Sequence, residues 1–167
     1  MERIYSFAPI YAPDAQVLIL GSMPSVQSLA QRFYYAHPRN AFWRILAEIF
    51  DEPLPESVAE KAHLLQSHRI ALWDSIASCQ REGSLDSDIR SAQGNDFAAL
   101  FAACPHIARI LVNGQTAYKQ FAQHSGQFLA GRQGIILPST SPAHTMKYEQ
   151  KREIWRDGIL HGKGVEV

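Results

Sequence analysis

The sequence predicts an α/β fold: a three-layer α/β/α sandwich around a central four-stranded parallel sheet. Three observations carry that expectation. Four short apolar runs are nearly continuous rather than alternating, as strands covered on both faces are. Helix-period segments separate them, and strand–helix alternation is the pattern of a parallel sheet held between helices. No repeat, low-complexity tract or linker interrupts the 167 residues, so one domain over 1–167 is expected.

The strands are placed in order at Val17 to Gly21 ("VLILG"), Ile70 to Trp73 ("IALW"), Ile110 to Gly114 ("ILVNG") and Ile135 to Pro138 ("IILP"). Between the first two, Ala41 to Phe50 sets Phe42, Ile45, Leu46, Ile49 and Phe50 on one helical face. "DFAALFAACP" and "QTAYKQFA" read the same way, and a last helix is expected from about Met146 to Leu160. The segments that leave the strands are "GSMPS", "WDSIASCQREGS", "NGQ" and "PSTSPAH". All are rich in Gly, Ser, Pro, Asn or Asp, and all are expected at one edge of the sheet, where such folds bind ligands.

Composition narrows the class. With 46% hydrophobic and 19% charged residues the chain is an ordinary globular one. Its longest apolar runs are too short to span a bilayer, and its first residues lack a signal-peptide pattern. Two cysteines make no disulfide framework, which points to a reducing, cytoplasmic setting and, with no partner motif, a monomer. Scattered histidines with no Cys-x-x-Cys pair give no reason to expect a metal or other cofactor. Sixteen basic residues balance sixteen acidic ones, so affinity for a polyanion would have to come from a local patch, hydroxyls and backbone amides.

One stretch stands apart. "FYYAHPRNAFW", residues 33 to 43, crowds five aromatic rings around His37, Pro38, Arg39 and Asn40. Taken with "VLILGSMPS", "ILVNGQTAY" and "ILPSTSPAH", it resembles the uracil-DNA glycosylase superfamily from about Val17 to His144. The resemblance is to its hypoxanthine-DNA (deoxyinosine) glycosylase branch, which is related to the mismatch-specific uracil glycosylases. It implies a monofunctional DNA repair enzyme that hydrolyses the N-glycosidic bond of a flipped, deaminated base, with DNA as partner. Uracil or mismatch specificity is the alternative substrate reading, and a catalytically silent nucleic-acid-binding module the alternative class.

The resemblance also distributes roles, each beside a plainer reading of the residue. In mismatch-specific relatives the first motif holds a water-positioning asparagine; Met23 stands there, which passes the catalytic duty by match to Asn40. Read without the family, Asn40 is an N-cap of the helix it precedes. Tyr35 matches the stacking aromatic, and is otherwise a core ring. Asn113 offers the donor and acceptor that an amide-like base edge needs, or simply closes a turn. Ser22, Met23 and their backbone N–H groups can stabilise charge on the leaving base or only form a tight turn. His37 is the one titratable group in the aromatic stretch, suited to an anionic base or to a structural role. Asp74 is a candidate to aid water or to hold the loop after the second strand. Ser139, Thr140, Ser141, Pro142, Ala143 and His144 form a stiff, hydroxyl-rich loop suited to phosphate and to entering a duplex. The basic side of the last helix, Lys147, Lys151, Arg152 and Arg156, reads as a solvated face.

Overall fold

The computed structural model of the protein describes residues 1–167. Along the chain lie β1 (Arg3–Tyr5), β2 (Val17–Gly21), α1 (Val26–Gln31), α2 (Phe42–Ile49), α3 (Val58–Ser67), β3 (Ile70–Asp74) and β4 (Ile76–Gln80). They are followed by β5 (Arg90–Gly94), α4 (Phe97–Ala103), β6 (Arg109–Asn113), α5 (Gln115–Ser125), β7 (Gln133–Leu137), α6 (Tyr148–His161) and β8 (Val165–Glu166). The main sheet has the order β3-β2-β6-β7-β8. Its first four strands are parallel and match the four apolar runs to within two residues at either end. Every residue of β3 is buried, as the unbroken apolar run requires.

Five strands stand where four were expected. Gly162, at φ 62°, ends α6 in the left-handed conformation and turns the chain back, so that Val165 and Glu166 pair antiparallel with Ile136 and Ile135. Two exposed residues carry no periodic signal, but their pairing covers the open edge of β7. A second sheet, β1-β4-β5, is antiparallel and occupies ground read from the sequence as loop. Register shifts along β4 and β5, and polar residues such as Ser78, Gln80 and Gln93, hide the alternation that would have announced it. Two helices were also unannounced. α3 buries only Leu64 and Leu65, yet its start carries a side-chain cap in which the Ser57 hydroxyl accepts the Glu60 N–H at 3.0 Å and donates to Glu60 Oε1 at 3.1 Å.

The aromatic stretch divides between core and cleft. Phe33, Tyr34, Phe42 and Trp43 are buried. Phe33 stacks on Trp43, with centroids 6.0 Å apart, and Phe42 meets Trp155 edge to face. The polar handles of these rings are satisfied: Trp43 Nε1 donates to the Tyr34 carbonyl at 3.0 Å and the Tyr34 hydroxyl to the Ala8 carbonyl at 2.8 Å. Trp155 Nε1 donates to the Pro138 carbonyl at 2.8 Å, which ties α6 to the end of β7. Rings flanking a Pro-Arg-Asn turn thus anchor a loop in the core and leave Tyr35, His37 and Asn40 facing outward at the sheet's edge.

Candidate active site

Parallel, in-register pairing brings the strand ends together: Gly21 lies opposite Asp74, and Asn113 opposite Leu137. Beyond them opens a cavity of about 460 Å³, bordered by Tyr35, His37, Asn40, Met23, Leu85 and the loop Ser139–His144. Its floor is tight at Gly21, where a Cβ would fall 2.6 Å from both the Tyr35 hydroxyl and Asp74 Oδ1. Gly21→Ala is expected to overpack this floor and lower stability by about 1–3 kcal/mol, readable by urea unfolding.

Tyr35 is held under strain. Its φ of 54° is left-handed, a conformation costly for a bulky residue, and its ring rests on Phe42 at 4.1 Å. Its hydroxyl is buried and has no hydrogen-bond partner in the protein. Burial, with Asp74 adding to it, holds this phenol far above the usual range, so it remains neutral. Asp74 is 3% exposed, and burial pushes its carboxyl up to about 7 against the opposing hydrogen bond from Ser6, whose Oγ donates to Oδ2 at 2.7 Å. A buried acid near neutrality and an unpartnered phenol therefore converge on one glycine. The sequence signalled Asp74 only by its place after a strand, because burial is a tertiary property.

The expected site residues fall into two sets. Tyr35, His37 and Asn40 line the cavity together. The Asn40 Oδ1 accepts the Phe42 N–H at 3.0 Å from one residue before Ala41, which holds the N-cap position of α2, so it still satisfies the helix's first N–H; its Nδ2 has no protein partner. His37 Nδ1 accepts the Arg39 N–H at 3.1 Å, which in the neutral ring leaves the proton on Nε2. The second set lines the same cavity, and several of its members are also hydrogen-bonded or packed within the protein. Asn113 accepts the Thr140 N–H on Oδ1 at 2.9 Å and donates from Nδ2 to the Thr140 Oγ1 at 3.0 Å. The Thr140 carbonyl in turn accepts the Ala41 N–H at 3.0 Å, linking the end of β6, the closing loop and the start of α2. Ser22 Oγ donates to Asp86 Oδ1 at 2.8 Å, and Met23 is buried against Ile76 and Cys79. In the closing loop Ser139 and Ser141 accept the N–H groups of Ser141 and Ala143, while Pro142, Ala143 and His144 are exposed.

A second cavity, about 620 Å³, adjoins the first across the rim formed by Tyr35, His37 and Asn40. Arg39, Arg44, Lys61 and Lys151 line it, and no carboxylate does; the first cavity holds Asp74 and Asp86. Lys61 sits 5.6 Å over the Trp43 ring, and burial holds its ammonium below the usual lysine range. Lys151 departs from the solvated face expected for α6: it is 4% exposed and donates to the His144 carbonyl at 3.1 Å. Arg152 likewise turns inward to Glu48, at 2.7 Å.

Known proteins of similar sequence and fold point to one family. The model of the uracil DNA glycosylase superfamily matches residues 8–158. The chain is similar to the hypoxanthine DNA glycosylase of Methanosarcina acetivorans, 33% identical over 156 residues that cover 93% of this chain and 97% of that protein. It is 31% identical over 155 residues to the protein of the same name from Methanosarcina barkeri, covering 92% and 96%. Among solved structures, the solution NMR structure of a candidate uracil DNA glycosylase from Methanosarcina acetivorans superimposes with a TM-score of 0.80 at 31% identity. That match covers 96% of this chain and 98% of the other. No helix is long and apolar enough to cross a membrane.

Proposed function

From the premise that the chain belongs to the uracil DNA glycosylase superfamily, we propose that it excises hypoxanthine from deoxyinosine in DNA by hydrolysing the N-glycosidic bond of the flipped nucleotide. The observation that carries this reading is the convergence of Tyr35, Asp74 and Asn40 on one cavity beyond the strand ends. Its volume is within the range of about 300–1,000 Å³ typical of small-ligand sites. The names of the two curated relatives support hypoxanthine as the base.

The chemistry follows from the groups present. A flipped purine lies against Tyr35, whose ring is braced from behind by Phe42. Stacking contributes about 1–3 kcal/mol, comparable to the cost of leaving the duplex. In its acid form Asp74 donates a hydrogen bond to the C6 carbonyl, where negative charge grows as the base departs. Asn40 is neutral and cannot abstract a proton. It orients a water toward C1′, an oxocarbenium-like sugar needs only a weak nucleophile, and the proton released by the adding water neutralises the departing base anion. The cationic second cavity takes the phosphates of the strand that carries the flipped nucleotide. Arg39→Ala combined with Lys61→Ala is then expected to reduce the slope of log K against log salt by about 2, measured by fluorescence anisotropy.

Labelled duplexes holding one inosine, uracil or xanthine, treated with the protein and then hot alkali, test the reading. Cutting at inosine is expected. Cutting at uracil alone would transfer the substrate to that base, and tight binding without cutting would make the protein a silent nucleic-acid-binding module.

A further inference from the structure

One buried charge takes no part in the site as described so far. Arg81 directly follows β4, is 5% exposed and lines neither cavity. It forms no ion pair. Its Nε donates to the Gly83 carbonyl at 2.7 Å and its Nη2 to the Pro24 carbonyl, while Nη1 is buried with no partner. Burying a guanidinium without a carboxylate beside it is costly, and two carbonyls offset that cost only in part. The two carbonyls belong to the segments that wall the base cavity, the turn 22–24 after β2 and the loop 82–86 after β4. Two further ties lace the same segments: Ser22 Oγ donates to Asp86 Oδ1 at 2.8 Å, and the Val26 N–H to Ser84 Oγ at 2.9 Å. Ser22 and Met23 line the cavity, and neither N–H has an acceptor within the protein.

We infer that Arg81 is a positioning residue for excision: a fixed cation, sealed behind the cavity wall, that holds the turn 22–24 against the loop 82–86 and counters the negative charge that grows on the base. The inference rests on the glycosylase reading and deepens it. When the N-glycosidic bond breaks, its electron pair leaves with the base, into a cavity whose carboxyl groups, Asp74 and Asp86, disfavour that charge. A cation in a low-dielectric wall opposes them without touching the substrate. The ionisable groups that bear on Asp74 are Asp86, Arg81 and the phenols of Tyr34 and Tyr35, which burial keeps neutral. Arg81 is the one cation among them. Burial, with Asp86 adding to it, raises the Asp74 carboxyl, while the Ser6 hydrogen bond and the Arg81 charge hold it back near neutrality. Losing the Arg81 charge would therefore do two things at once: slow departure of the base and keep Asp74 protonated to higher pH.

The test compares Arg81→Gln, Arg81→Lys and Ser84→Ala with the wild type in single-turnover excision of inosine from a duplex, between pH 6 and pH 9. Arg81→Gln keeps a donor without the charge. Its rate at pH 6 is expected to fall about 10²-fold, and the decline with rising pH to move upward. Arg81→Lys keeps the charge without the fork, and should stay within about tenfold of the wild type with the decline in place. Ser84→Ala cuts a different tie between the same segments. It should cost less rate than Arg81→Gln and leave the decline where it is. Equal losses in the lysine and glutamine variants, or an unmoved decline in the glutamine variant, would overturn the inference. If the wild-type profile is flat, the comparison of rates decides alone. If urea unfolding shows that Arg81→Gln does not fold, the lysine variant decides, and a loss well beyond tenfold there overturns the inference. A wild type that leaves inosine uncut at every pH would end the glycosylase reading first, and Arg81's part with it, without any variant.

Discussion

Replacing Asn40 with alanine is expected to lower single-turnover excision of hypoxanthine by about 10²-fold or more, the scale of losing the alignment of one reactant. The same change removes the acceptor for the Phe42 N–H, 3.0 Å away, and with it about 1 kcal/mol of helix capping. Activity and stability would then fall together, so the alanine variant alone does not say which role matters. Asn40→Ser separates them. Serine is a good cap but too short to reach the cavity, so stability should return while turnover does not. Urea unfolding and single-turnover kinetics on the same samples read both quantities. Full turnover in the serine variant would reduce Asn40 to a cap and leave the water without a guide.

The second large effect is a pH dependence at Asp74. Its carboxyl is pushed up to about 7 in the folded protein from an ordinary 3.8. The folded state therefore keeps a proton that the unfolded chain releases. Stability from this group is full below pH 4, falls as pH rises from about 4 to about 7, and is level above that. The whole span is about 4 kcal/mol. Asp74→Asn has no proton to lose and should be the more stable protein at pH 8, while retaining an acceptor for Ser6 and a donor toward the cavity. Excision should follow the same titration. Wild-type single-turnover rate should decline toward tenfold per unit above pH 7, because the ionised carboxyl no longer donates to the base carbonyl and faces its growing negative charge. The asparagine variant should give a flat profile over that range. A wild-type profile that is flat from pH 6 to 9 would remove Asp74 from the chemistry while leaving its stability effect intact.

Both predictions concern residues whose weight the sequence could not assign. Asn40 was visible as a residue that could cap a helix or aim a water, and the fold gives its two ends different surroundings, one on the Phe42 N–H and one at the cavity. Asp74 was visible only as a polar residue after a strand. What makes it an acid near neutrality is burial beneath segments that come from residues 6, 21 and 35. Asn113 shows the converse: a strand-end amide with the right groups for a base edge, whose oxygen and nitrogen are both engaged by Thr140.

By itself the sequence determined the four parallel strands, three of the five helices between them and the edge at which their loops meet. Those features follow from apolar runs and helical periods that are read within a dozen neighbouring residues. It also determined that one aromatic stretch would border that edge. Tertiary structure alone decided the antiparallel second sheet, the unpartnered Tyr35 hydroxyl over Gly21, and the gathering of Arg39, Lys61 and Lys151 around one cavity without a carboxylate. Burial and electrostatic proximity depend on which distant segments the fold stacks together, and no local period records that.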